Sequence, residues 1–245
     1  MTNKKTIINY FIKLLVLSIL LLMNFTSFSQ QHGNTVHVVG AMKNVMWKGE
    51  LYGTINLDTI SNKQHLYGVG PVEYLAGELL IVDGKSYKST VLTDSTMNVE
   101  ETSTAKAPFF VYANIEQWKE QNLPESIRTI QQLETFLDQI TKTAKRPFTF
   151  KLTGIIETAS IHVVNLQKGS QVSSPEDAHQ GQKDYHLRNK QSEIIGFFST
   201  EHKAIFTHHD TFVHMHLITA DKSTMGHLDK VLFKKADMKL YLPAE

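Results

Sequence analysis

The sequence predicts an α+β protein. Its N-terminal half holds a mixed or antiparallel sheet with a helical insertion, and its C-terminal half is an antiparallel, barrel-like set of strands that carries a metal site. Three observations lead there. Short apolar stretches with period-two alternation recur along most of the chain, residues 115–143 switch to i, i+3, i+4 spacing, and a His-x-His pair stands inside one of the last alternating stretches.

Residues 1–29 read as a secretory signal peptide. Lys4, Lys5 and Lys13 give a positive start, Leu14 to Met23 an apolar core, and Ser27-Phe28-Ser29 small residues for cleavage before Gln30. The apolar run falls short of the roughly 20 residues a spanning helix needs. The mature chain is therefore expected to be exported, periplasmic or secreted, and free of the membrane. The sequence contains 0 cysteines, which excludes disulfides and a lipoprotein anchor, so stability must come from the core and from any bound metal. Cleavage would move the net charge from +1 to about −2, a balance that argues against nucleic acid as a partner. What remains divides into an N-terminal half, 30–150, and a C-terminal half, 151–245, which can form one intimately packed unit. No repeat, low-complexity tract or flexible linker separates them.

In the first half, Thr35 to Val39 reads as a short strand. The stretch from His65 to Tyr87 carries four glycines suited to tight turns and close backbone approach, and Asp83-Gly84 between apolar runs signals a hairpin. Glu78 enters the apolar run Leu79 to Val82, where a carboxylate is unusual; alone it reads as a solvated residue at a strand edge. Pro108 to Ala113 is another strand. From Ile115 to Thr143 the chain is expected to be helical, with a second helix beginning at Pro124 and Ile127, Ile130, Leu133, Phe136, Leu137 and Ile140 facing the core. In the second half, strands are expected over Phe148 to Leu152 and Ile155 to Val164. A polar loop should run from Lys168 to Asn189, and strands continue from Ile194 to Leu242.

Read as a strand, Phe212 to Ile218 places Val213, Met215 and Leu217 on one side and His214 and His216 on the other. Two imidazoles spaced i, i+2 can share a tetrahedral metal. The turn-like Thr219 to Thr224 can fold His227 back as a third ligand, leaving a fourth position open as in catalytic zinc sites. With 12 histidines in the chain, a chance pair facing solvent is the competing reading. His208 and His209, in a Thr-His-His-Asp turn, are expected at the surface.

Three stretches together resemble the alpha-acetolactate decarboxylase family: Gly68-Val69-Gly70 with Leu75-Ala76-Gly77-Glu78, then Gly154 through Gln167 with Ile195-Gly196-Phe197, then His214, His216 and Gly226-His227. The resemblance spans roughly Val36 to Leu242. It implies zinc held by His214, His216 and His227, Glu78 as an active-site carboxylate, and decarboxylation of 2-hydroxy-2-methyl-3-oxobutanoate (acetolactate) to acetoin. It also implies a small 2-hydroxy-3-keto acid as partner, with a homodimer as the expected assembly. The chain departs from the family in three places. His162 stands where the family has an arginine, as a candidate catalytic residue in its place or else a neutral strand residue; Pro71 stands where it has a threonine, and the chain ends before the segment bearing a further family glutamate. Two other readings remain at this point. One is a zinc-dependent isomerase or hydrolase for another small hydroxy or keto acid; the other is a non-catalytic zinc or small-acid binding module.

Overall fold

Asp83 and Gly84 both adopt positive φ, 48° and 82°, as a two-residue hairpin turn requires, so the sequence signal and the backbone agree there. The computed structural model describes residues 34–244; the predicted leader, 1–29, lies outside them. The first stretch contributes β1 (His37–Val39), α1 (Met42–Lys48), β2 (Ile55–Asn56), β3 (Leu66–Pro71), β4 (Glu78–Val82), β5 (Lys85–Val91) and β6 (Met97–Glu101). It continues with β7 (Lys106–Ala107), β8 (Phe110–Asn114) and β9 (Trp118–Asn122). Beyond these come α2 (Ile130–Ile140), β10 (Phe148–Val163), α3 (Pro175–Ala178), β11 (Lys183–Phe198), β12 (Val213–Thr219) and β13 (Met225–Pro243).

The protein is mostly β, with antiparallel sheets and few helices. The first sheet has the order β1-β8-β3-β4-β5-β6, and the second β10-β11-β12-β13-β9. In the second sheet β13 also returns to pair with β10, so each of β10, β11, β12 and β13 has neighbours on both sides. Strands β10 and β13, at 16 and 19 residues, exceed ordinary strand length because register shifts between Gly154 and Ile161 bend them.

All seven residues of β12 are buried. Val213, Met215 and Leu217 point into the main core with Phe150, Phe233 and Leu240. The opposite side does not meet solvent: Ile218 packs with Val69, Leu80 and Val111 of the first sheet. His214 and His216 share that covered side, which removes the solvent-facing reading of the pair.

Two expectations need correction, and one helix was not foreseen. Residues 115–129 are not helical; Trp118–Asn122 is a strand that pairs with Lys239–Pro243 of β13. The open hydrogen-bonding edge of β13 outweighs the helix-compatible spacing, and Pro124 separates the two regimes. The helix proper starts at Thr129, whose side chain accepts from Gln132 N while Gln132 returns to Thr129 N, a reciprocal capping box. The loop expected from Lys168 to Asn189 is shorter, since β11 begins at Lys183, where Tyr185 and Leu187 alternate inward among polar neighbours. Residues 42–48, which carried no helical signal, form α1 and end on Gly49 in the left-handed region at φ 64°.

Among the described residues, no helix is long and apolar enough to cross a membrane. Replacing the wholly buried Phe150 by alanine should cost about 3–5 kcal/mol, and Thr129→Ala about 1 kcal/mol. Both effects are read as shifts of the urea-unfolding midpoint at constant slope.

Candidate active site

His214 and His216 lie on one face of β12, and register fixes their neighbours: His216 pairs with His227 of β13, which pairs in turn with His162 of β10. Gly226 makes this approach close. A Cβ there would stand 2.4 Å from the backbone oxygen of His162, so any larger residue would force β13 away from β10. The rings follow the backbone. His162 and His227 stack at 4.6 Å, and His214 and His216 lie 5.1 and 5.5 Å from His227, centroid to centroid.

The nitrogens are arranged with a direction. Nε2 of His214 and Nε2 of His216 stand 3.2 Å apart. Nδ1 of His214 and Nε2 of His227 are buried without a protein hydrogen-bond partner, whereas His216 meets the backbone of Leu79. Leaving such a group unpaired costs on the order of 1–3 kcal/mol, so the cluster calls for a partner that the chain itself does not supply. Burial pushes the proton affinities of His214 and His216 well below the ordinary imidazole value, and each neighbouring imidazole pushes them further. Burial also lowers His227, with partial relief from Asp229. Neutral imidazole is the form that can ligate a metal.

Glu78 points into this cluster, neither into solvent nor into apolar core. It is 3% exposed, with Oε2 3.7 Å from His216 Nε2 and Oε1 3.8 Å from His162 Nε2. Its Oε1 also accepts a 3.3 Å bond from the Val164 N–H. Burial raises its carboxyl well above the usual range; the Val164 bond opposes that rise and the charge on Asp229 adds to it. A carboxyl with raised proton affinity beside a cavity is suited to general acid chemistry.

Asp229, two residues beyond His227, joins the remaining imidazoles. Its carboxylate oxygens lie 2.8 and 2.9 Å from His162 Nδ1, and Oδ1 is 3.2 Å from His227 Nδ1. Burial alone would raise this carboxyl, but the bonds from His162 and His227 outweigh it and hold Asp229 well below the carboxylate range. Among the described residues, the group whose donor atoms all lie within 4.8 Å of one another, and which could hold a metal ion, is His162, His227 and Asp229. A cavity between the two sheets opens onto Glu78, His162, His214 and His227, with Met46 and Phe109 among its apolar walls.

Sequence reasoning missed some of these residues. Asp229 shares a strand face with His227 at i, i+2 and could have been read from that spacing. His208 was expected at the surface along with His209. His209 is exposed, whereas His208 lines the cavity edge-on to His227 at 5.1 Å, and burial pushes it down to about 3. His179 lines the cavity from the end of α3, facing His162 edge-on at 6.1 Å.

A family model described as Alpha-acetolactate decarboxylase matches residues 37–243, nearly the whole described chain. The chain belongs to the alpha-acetolactate decarboxylase family. A curated relative carrying that name, from Brevibacillus brevis, is 24% identical over 198 residues, which span 80% of this chain and 66% of that protein. The crystal structure of alpha-acetolactate decarboxylase from Bacillus subtilis strain 168 superposes with a TM-score of 0.69 at 17% identity, covering 86% of each chain. A Staphylococcus aureus protein of unknown function, described as similar to alpha-acetolactate decarboxylase, gives 0.71 at 17% identity, covering 85% of this chain and 84% of its own. These structures establish that the chain has the fold of this family.

The lowered histidines set a pH dependence for the metal-free protein. Below about pH 6.5 the unfolded chain binds protons at His208, His214, His216 and His227 that the folded chain refuses, so stability should fall as the pH falls. Glu78 acts in the opposite sense. Its raised folded value gives a contribution that is present at low pH and lost as the pH rises above about 4.5. Four histidines against one glutamate leave the histidine trend dominant. Urea midpoints of the chelator-treated chain should therefore rise between about pH 5 and pH 7; a flat profile would mean the imidazoles titrate normally.

Proposed function

We propose that this chain is a zinc-dependent decarboxylase that converts acetolactate to acetoin and carbon dioxide. In this reading His214, His216 and His227 hold the metal, and Glu78 handles the proton. The observation that carries it is the grouping of three buried imidazoles, with ring centroids 5.1 to 5.5 Å apart, beside a buried carboxyl and a cavity, in a member of this family. The donor set suits zinc, which favours imidazole nitrogen and keeps an open position in catalytic sites. Bound there, the ion would act as a Lewis acid toward the oxygens of a 2-hydroxy-3-keto acid.

The chain's own residues supply the rest. Burial keeps the imidazoles unprotonated at neutral pH, so they need not be discharged before binding a cation. When the carboxylate leaves as carbon dioxide, the carbon left behind must gain a proton. Glu78, whose affinity for a proton burial raises, is the group placed to supply one, with carboxyl oxygens that face His162 and His216. The apolar walls at Met46 and Phe109 limit water near that carbon. The barrel-like reading of β10 to β13 belongs to this proposal as the rigid frame of the site, and so does export through the leader at 1–29.

The test uses the chain from Gln30, loaded with zinc and supplied with racemic acetolactate, with acetoin and carbon dioxide followed together. Turnover is expected, with none in the His214→Ala, His216→Ala double variant. Glu78→Gln should lower kcat by roughly 100- to 10,000-fold, the usual contribution of a general acid. A chain that binds zinc fully yet forms no acetoin would refute the reaction. A chelated chain that unfolds, where a folded but inactive protein is expected, would make the zinc structural.

A further inference from the structure

We propose that Asp229 is the positioning residue of this site: one carboxylate holds His162 and His227 by their Nδ1 edges and turns the Nε2 edges of both rings into the cavity. The inference rests on the reading of His227 as a metal ligand and extends it to two residues that reading leaves without a role.

The geometry is specific. Asp229 meets His162 Nδ1 with both oxygens, at 2.8 and 2.9 Å, and His227 Nδ1 with one, at 3.2 Å. An ionised carboxylate only accepts hydrogen bonds, so each Nδ1 must carry the hydrogen. Each Nε2 is then the edge left for the cavity. For His162 it faces Glu78 Oε1 at 3.8 Å, and for His227 it is buried with no protein partner. A carboxylate behind the far nitrogen of a ligating histidine fixes its tautomer and ring plane, and its loss ordinarily costs 10- to 100-fold in metal affinity. Here one carboxylate does this for two stacked rings, 4.6 Å apart, so their orientations are coupled.

The second ring gives the arrangement its consequence for specificity. Among the described residues, no lysine or arginine lines the cavity. His162, held at Nδ1, presents a single ring nitrogen where a guanidinium would present a fork of donors. The pocket therefore presents one ring nitrogen at this position and no guanidinium fork for a carboxylate.

The experiment compares the full mature chain with Asp229→Asn and Asp229→Ala, using Asp237→Asn, an exposed carboxylate paired with Lys234, as control. In the metal-free wild type, nitrogen-15 spectra of the histidine side chains should show His162 and His227 as Nδ1–H tautomers. In Asp229→Asn the two should no longer match, because the amide nitrogen replaces Oδ2, 2.9 Å from His162 Nδ1, and sets a donor against that ring's N–H. Zinc, measured by competition with a chromophoric chelator, should bind 10- to 100-fold more weakly to both Asp229 variants and unchanged to the control. These readouts need no acetolactate turnover, so they stand or fall apart from the proposed reaction. Should Asp229→Ala fail to fold, the near-isosteric Asn variant carries the test. Unaltered tautomers and zinc affinity in the Asn variant would overturn the proposal. So would a wild type that binds two zinc ions and an Asn variant that binds one, since Asp229 would then be a ligand itself.

Discussion

Nε2 of His214 and Nε2 of His216 stand 3.2 Å apart where neither ring has appreciable contact with solvent, and Nδ1 of His214 behind them finds no protein partner. Buried polar groups are ordinarily paired, and an apolar pair of the same size would be easier to accommodate at this position. Much of the architecture can be understood as meeting that demand. The first sheet covers the outer side of β12, β13 crosses close to β10 because Gly226 has no side chain, and Glu78 enters from β4 to face the cluster. Each of these features brings a further nitrogen or oxygen to the same small volume.

Burial decides the protonation states as well. The imidazoles lose affinity for protons, and the carboxyl of Glu78 gains it, for the same reason: the charged form of each is penalised in a region that water does not reach. The result is a set of imidazoles with lowered proton affinity beside a carboxyl with raised proton affinity. That is the complement a metal-assisted decarboxylation needs, with lone pairs for a cation and a proton for the carbon that loses carbon dioxide. Asp229 is the exception. At the edge of the site, with its side chain 31% exposed, it keeps its charge because two imidazole N–H groups bond to it.

The sequence made the most of what repeats with period two. The alternation of Val213, Met215 and Leu217 against His214 and His216 defines β12 correctly, and Asp83-Gly84 marks its hairpin. Glu78 was different: local reading favoured a solvated strand edge, and only the resemblance to the family suggested an active-site role. Other features were settled by tertiary contacts that no local pattern carries. Trp118 to Asn122 became a strand because β13 offered it an edge. His208 left the surface because its loop packs beside His227. Residues 42–48 became a helix whose Met42 and Met46 pack in the cluster of Leu75 and Phe109 beside the cavity. Asp229 was within reach of the same alternation that found the histidines, two residues past His227 on one strand face.

The central claim is that three imidazoles from β12 and β13 hold one catalytic metal. The most direct measurement is the zinc content of the purified, dialysed chain, together with X-ray absorption at the zinc edge. The account predicts one ion per chain in a shell dominated by imidazole nitrogen, absent from the His214→Ala, His216→Ala variant. A dialysed chain without metal after zinc loading, or an ion retained when both histidines are gone, would contradict it.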